Sequence, residues 1–304
     1  MNLKKFLLFL LKLAVSGLSL YIVLAKNDIG HMMGMLRSIG PLAFLTASFL
    51  YIFSLAGATV RWKLLLPWEY SFGRLLSLYL IGSFFSSFLP GVIGGDVVKA
   101  YYLNKDAKKI SHTLASIFMD RYLGYVSLVL IGIIAFPFSL KFFGGSPYRW
   151  VMPAIFVFFV VGSFLFFGLQ LGRRFRTVSE FYDYFGTLWR KPGVMLKAVL
   201  ISGLIQLTGF LAVAILARAM GTQIPLLTLF VFLPIIITIT TVPISISGLG
   251  VREGAFVVLL GLIGVRSEAA TSLSLAWFFS SFVGSLPGLV AYIRHTNEAD
   301  ADSG

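Results

Sequence analysis

Two interruptions in an otherwise oily chain limit what it can fold into. The first is Phe88-Leu-Pro-Gly-Val-Ile-Gly-Gly-Asp-Val-Val-Lys99 and the second is Val242-Pro-Ile-Ser-Ile-Ser-Gly-Leu-Gly-Val-Arg-Glu253. Each runs from a proline through a glycine-rich turn to charged residues that open a new apolar run. Lipid offers nothing to hydrogen-bond an irregular backbone, so such segments must be buried in protein or line a wet cavity. Broken segments at corresponding places in two halves of a membrane chain point to a transporter's binding site.

Composition supports the membrane setting. Hydrophobic residues make up 58% of the 304 and charged residues only 12%, against about 25% charge in a soluble domain. Mean hydropathy is +0.91. Six apolar runs approach the ~20 residues needed to cross a bilayer: about 6–25, 42–60, 113–136, 150–171, 197–217 and 269–293. The first is too long for the apolar core of a signal peptide and reads as a span. The absence of cysteine excludes disulfides and thiolate metal sites. His31, His112 and His295 are scattered near segment ends, so no metal or cofactor is expected. The net charge of +13 reads as loop lysines and arginines beside anionic lipid, not as a nucleic-acid surface.

Charge also draws the topology. Two apolar regions, about 72–110 and 225–265, hold the interruptions. A full crossing over 72–89 would put Lys99, Lys105, Lys108 and Lys109 opposite the loop carrying Arg61, Lys63 and Arg74, which the positive-inside rule disfavours. A re-entrant hairpin keeps both clusters inside. With 225–265 as a hairpin from the other face, sixteen basic residues, Arg61 and Lys99 among them, fall on cytoplasmic segments and six outside. Both termini are then cytoplasmic, in a cell (inner) membrane. Residues 297–304 form an acidic tail expected to be disordered.

The expected fold is thus an all-α integral membrane protein of one domain, residues 1–296. It has six transmembrane helices, two opposed re-entrant hairpins and an inverted repeat over about 1–137 and 148–295. Surface segments match across the halves as well. Ile29, Met32, Met33, Leu36 and Ile39, and Phe175, Val178, Tyr182, Phe185 and Trp189, fall at helical spacing, as interfacial amphipathic helices do.

The charges inside apolar segments are Asp96, Lys99, Asp120, Arg121, Arg252 and Glu253. Each costs roughly 2.5–3.5 kcal/mol at mid-bilayer on insertion scales, so each needs a partner or water. Neighbours on a helix do not face each other. Arg252 is therefore not expected to pair with Glu253, nor Asp120 with Arg121, and partners should come from elsewhere. Three acids and three bases make the set neutral when empty. Gly91, Gly94 and Gly95, and Gly248, Gly250 and Gly254, permit tight turns, with half-helices expected after Asp96 and after Gly250. Free amides at those starts would favour phosphate. Equally, the charges could form a structural network, and the glycines could serve packing alone. Ser83, Ser86, Ser87, Thr238, Thr240, Thr241, Ser245 and Ser247 flank the tips and could solvate a polar headgroup. Gln206 is a further candidate.

The runs Arg61-Trp-Lys-Leu-Leu-Leu66, Pro90-Gly-Val-Ile-Gly-Gly-Asp-Val-Val-Lys99, Asp120-Arg-Tyr-Leu-Gly124 and Gly248-Leu-Gly-Val-Arg-Glu-Gly254 resemble the lysylphosphatidylglycerol synthase transmembrane family. The resemblance implies a flippase-like domain. In two-part members a soluble aminoacyl-transferase domain follows; with the last residue at Gly304, a stand-alone member is expected here. It also implies that Gly94, Gly95, Asp96, Lys99, Asp120, Arg121, Gly248, Gly250, Arg252 and Glu253 bind the substrate. Combined with the charge pattern, the expected function is translocation or scrambling of a lipid with an anionic, phosphate-bearing headgroup, such as a phospholipid or a polyprenyl-phosphate-linked lipid. Acyl chains are expected to stay in the bilayer along a side groove. No enzyme motif is evident. The alternative is a lipid- or glycolipid-modifying enzyme, or the non-catalytic membrane partner of one. Self-association is left open.

Overall fold

A computed structural model describes residues 13–301 apart from 20, 22–24, 26, 89–92, 105–109, 171, 243, 244 and 246. Its helices are α1 (Ile29–Ser38), α2 (Gly40–Leu65), α3 (Phe72–Ser86), α4 (Ile93–Asn104), α5 (Ile110–Ser139), α6 (Val151–Leu169), α7 (Arg176–Trp189), α8 (Pro192–Ala219), α9 (Leu226–Thr241), α10 (Val251–Gly261), α11 (Ser267–Ser285) and α12 (Pro287–Ala301). Two short 3-10 turns, Leu140–Phe143 and Pro147–Trp150, join α5 to α6. No strand occurs among the described residues. Helix is the form that satisfies every backbone group within one segment, as hydrocarbon requires.

Five helical stretches are long and apolar enough to cross a membrane: Gly40–Leu65, Ile110–Phe143, Pro147–Leu169, Pro192–Ala219 and Ser267–His295. They coincide with the second to sixth expected spans. The first, 6–25, lies largely outside the described residues, although 13–19 is helical. The two apolar regions with interruptions become helix pairs, α3 with α4 and α9 with α10, whose first arms are shorter, Phe72–Ser86 and Leu226–Thr241. Pro287 breaks the last span into α11 and α12. The helix of α12 then continues to Ala301, through most of the segment expected as a disordered tail. Glutamate and alanine are good helix formers and carry the turn onward.

Both amphipathic segments are helices. Asp28 caps α1 by accepting from the His31 amide (3.1 Å), the usual role of an aspartate there. Its apolar face is divided: Met32 and Ile39 are buried, while Ile29 and Met33 are exposed. On α7, Tyr184 donates to the Leu65 carbonyl. Burial raises the Tyr184 phenol above its usual value, so it remains a donor at ordinary pH.

The interior is built where glycine lets helices approach, since hydrocarbon supplies little hydrophobic drive between them. A methyl group added at Gly57 of α2 would lie 3.2 Å from Ile205 of α8, and one at Gly284 of α11 would lie 2.8 Å from the Ser48 carbonyl of α2. Between α3 and α4, Gly82 and Gly95 face each other so closely that a methyl on Gly95 would strike the Gly82 carbonyl and the Ser86 hydroxyl. The largest apolar cluster joins α5, α8, α9, α10 and α11 around Phe232, Leu233, Leu216 and Phe256. Large side chains on the outer faces, such as Leu42, Phe158 and Phe164, are exposed, as on a surface that meets lipid.

Candidate functional site

The charges form three ion-pair groups. In the first, the Asp120 carboxylate accepts from Arg61 Nε (2.7 Å) through Oδ1 and from the Tyr79 hydroxyl (2.7 Å) through Oδ2. Arg61 also donates to Ser202 Oγ on α8 (2.8 Å). Both charged residues are buried. Arg61 is therefore no loop charge, as the positive-inside count had it; it sits in α2 and joins the two halves through Ser202. Lys99 is likewise buried in α4, not in a loop.

The second group centres on Asp96. Arg121 Nε and Nη2 donate to its two oxygens at 2.9 and 3.1 Å. Lys99 Nζ lies 2.8 Å from Oδ1, close enough for an ion pair but not aligned as a hydrogen bond. Lys99 also sits 4.1 Å from the Tyr79 ring centroid and 5.2 Å from that of Trp62. Cation–π attraction suits an ammonium removed from water.

The third group overturns an expectation. Arg252 does pair with its neighbour Glu253: Nη2 and Nε donate to Oε1 at 2.8 and 3.1 Å. The reason lies in the helix start. Gly250 stands in the left-handed region (φ 81) and its amide donates to Glu253 Oε2 (2.6 Å), which draws the carboxylate back over the first turn. The long Arg252 side chain reaches round to meet it. Ser274 Oγ accepts from Arg252 Nε (3.0 Å) and donates to Glu253 Oε1 (2.8 Å). The expected phosphate cradle at this helix start is thus filled by the protein's own carboxylate. Asp120 and Arg121, by contrast, do not pair with each other. The partners lie within each half of the chain, not across it.

With Arg61 included, the network holds three acids and four bases, one positive charge in excess, where neutrality was expected.

These groups surround a cavity of about 440 Å³ lined by residues of both halves. Lys99, Arg121 and Arg252 line it, and no carboxylate does among the described residues. Arg121 presents most to the opening, with 43% of its side chain exposed against 10% for Arg252 and 1% for Lys99. Ser83, Ser86, Thr240, Thr241 and Ser247 add hydroxyls, and Gln206, Tyr51, Trp277 and Phe278 complete much of the wall. The Ser86 hydroxyl is buried without a hydrogen-bond partner. Arg252 lies 4.8 Å from the Phe278 ring centroid.

Of the ten residues expected to bind, Lys99, Arg121, Gly248 and Arg252 reach the cavity wall. Asp96, Asp120 and Glu253 stand behind it and hold bases. Gly94 and Gly95 lie inside α4, which starts at Ile93, four residues earlier than expected; Gly95 is a packing contact. Gly248 (φ 76) and Gly250 (φ 81) make the second turn, and Gly254 has open space where a side chain would go. Thr238 accepts from Tyr125 (3.1 Å), and Ser87, just past the end of α3, donates back to the Ser83 carbonyl. Gly91 and the two tip prolines, Pro90 and Pro243, lie outside the described residues. Sequence reasoning missed Arg61, Tyr79, Ser202 and Ser274. Arg61 sits one residue past the expected end of a span, and that position was its signal. No cluster of three or more histidines and carboxylates suited to a metal occurs among the described residues.

Residues 9–288 match the family model described as lysylphosphatidylglycerol synthase TM region. The chain belongs to this family. Two relatives, both named UPF0104 membrane protein and both from Methanothermobacter thermautotrophicus, resemble it along most of their length. One is 23% identical, over 83% of this chain and 85% of its own. The other is 24% identical, over 78% and 79%. No solved structure matches. The matched region contains all three ion-pair groups, so the cavity belongs to the part of the chain that the lysylphosphatidylglycerol synthase TM region covers. Membership and the five apolar helical stretches together make this a multi-pass membrane protein.

Proposed function

We propose that this chain moves a lipid with an anionic, phosphate-bearing headgroup from one leaflet to the other. One observation carries the reading: Lys99, Arg121 and Arg252, from three helices and both halves, line one cavity while their carboxylate partners stand behind its wall. An anion entering there meets three cations and serine and threonine hydroxyls. Arg121 can offer its planar fork to phosphate oxygens, a geometry guanidinium suits. Asp96 keeps Lys99 as partner when Arg121 turns to the ligand. The family's description as the membrane region of a lipid synthase supports a lipid substrate. The carboxylates are committed to ion pairs, which favours a transporter over an enzyme. In this reading six segments cross the cell membrane, both termini are cytoplasmic, and the α3–α4 and α9–α10 pairs enter from opposite faces and turn back.

Flipping assays in liposomes test this. Purified protein meets a panel of headgroup-labelled anionic phospholipids and polyprenyl phosphates, beside the Arg121→Gln/Arg252→Gln double variant. The expected result is movement of one lipid class, lost in a double variant that remains folded. Movement unaffected by the double variant, or no movement of any lipid with or without a proton gradient, removes the proposal.

A further inference from the structure

A second cavity, of about 470 Å³, adjoins the cationic one. Arg121, Tyr51, Leu55, Tyr79, Gln206, Ile237 and Thr241 line both, so Arg121 stands in the wall that the two share. Beyond that wall the character changes. The walls there are Ser54, Phe118, Tyr122, Tyr125, Leu128 and Ile205, with Ala58, Gly124 and the buried Arg61.

Four tyrosines bound the two compartments, and the protein already engages each hydroxyl. Tyr51 bonds Ser83 (2.8 Å), Tyr79 donates to Asp120 (2.7 Å), Tyr122 to Ser163 (3.0 Å) and Tyr125 to Thr238 (3.1 Å). What remains for an occupant is ring surface. Arg61, the other charge at this wall, is held by Asp120 and Ser202. Gln206 donates to the Gly124 carbonyl (3.1 Å). Much of the polar capacity on the far side is therefore engaged by the protein itself. Phe118, which lines this cavity, is 39% exposed. A polar, cationic chamber thus adjoins, at Arg121, an aromatic, largely apolar one, each of the size of a ligand pocket, about 300–1,000 Å³.

We infer that the second cavity receives the headgroup-proximal part of a hydrocarbon chain of the same lipid whose phosphate lies against Lys99, Arg121 and Arg252. The inference rests on the proposed function for its headgroup chamber and departs from the sequence expectation, in which the chains stay in the bilayer. The wall that the two cavities share, with Arg121 in it, names the occupant. A separate apolar molecule would have no reason to lie against the arginine, whereas one amphipathic molecule satisfies both chambers. Arg121 would then lie near the junction of phosphate and chain.

Photolabelling in nanodiscs tests this. The probe is a phosphatidic acid carrying a diazirine near the carboxyl end of one acyl chain. The control is a diacylglycerol with the same chain and no phosphate. The expected result is adducts on Phe118, Tyr122 or Tyr125 with the phosphatidic acid, and about tenfold less with diacylglycerol. Ser54→Phe puts a ring into the second cavity without touching the first. Labelling should fall about tenfold in that variant, and also in Arg121→Gln, which unfastens the phosphate and serves where Ser54→Phe does not fold. Equal labelling by the two probes means adventitious hydrocarbon and overturns the inference, as does labelling that either folded variant leaves unchanged. Adducts confined to outward residues such as Phe158 also overturn it. Labelling reads occupancy, not movement. A protein labelled as expected that flips no lipid keeps the chain pocket and loses the proposed function. A protein that flips lipid with only outer adducts does the reverse.

Discussion

Asp120 and Arg121 are adjacent in sequence yet face different surroundings, because successive residues on a helix point about 100° apart. Asp120 turns inward, where Arg61 and Tyr79 engage both its oxygens. Arg121 turns to the cavity, where Asp96 holds it from one side. Their substitutions should therefore separate stability from binding. Asp120→Asn leaves the Arg61 guanidinium buried beside a neutral group, and breaking a buried pair in this way costs about 3–5 kcal/mol. The measurement is the thermal midpoint of the detergent-solubilised protein, which should drop steeply; an unchanged midpoint would sink the argument. Arg121→Gln should barely move that midpoint, since the arginine is 43% exposed and Asp96 retains Lys99. It should instead weaken binding of a phosphate-headgroup lipid about tenfold or more, read by titration in nanodiscs. The sequence made these acids and bases visible as lone charges in oily runs. It hid the pairing of Arg252 with Glu253, because that contact depends on a glycine at φ 81 and a carboxylate drawn back to the Gly250 amide, features of shape and not of spacing.

Within the helix pairs, not every glycine has the same reason to be one. Gly95 lies against the Gly82 carbonyl of the opposite arm, while Gly254 has open space around it and an ordinary helical backbone. Gly95→Ala should force α3 and α4 apart and lower the yield of folded protein several-fold after detergent extraction. Gly254→Ala should hold or raise the melting temperature, since alanine is favoured over glycine in a helix by roughly 0.8–1 kcal/mol. A Gly95→Ala protein as stable as wild type would show that the arms do not depend on this contact. The positions of the later spans, the two amphipathic segments and the break at each tip were legible, because apolar runs, helical spacing and proline–glycine pairs are local signals. The start of α4 was not. Gly94-Gly95-Asp96 reads as a turn when taken alone, and only packing against Gly82 makes it helix.

At the scale of the molecule, the chain has no cysteine, so single introduced cysteines report sidedness directly. In the proposed topology, with cytoplasmic termini and a first helix pair that turns back, Glu69→Cys and Ile110→Cys should react with an impermeant maleimide from the cytoplasmic side only, and Tyr148→Cys from the outside only. Labelling of Glu69→Cys and Ile110→Cys from opposite sides would mean that the first helix pair crosses the membrane. From α1 onward, the order of the described elements was legible in the periodicity of the sequence. The cavity between them was not, because long-range neighbours such as Arg61 and Ser202 share no local pattern. The ion pairs also bear on how such a chain can be made. Arg252 and Glu253 leave the ribosome together as a neutral unit, and Lys99 follows Asp96 by three residues. Arg121 emerges 25 residues after its partner Asp96, and Asp120 emerges 59 residues after Arg61. Arg61 is the network charge that waits longest. It waits in the last turns of α2, where a long side chain can reach the lipid headgroups until the fifth helix arrives with its carboxylate.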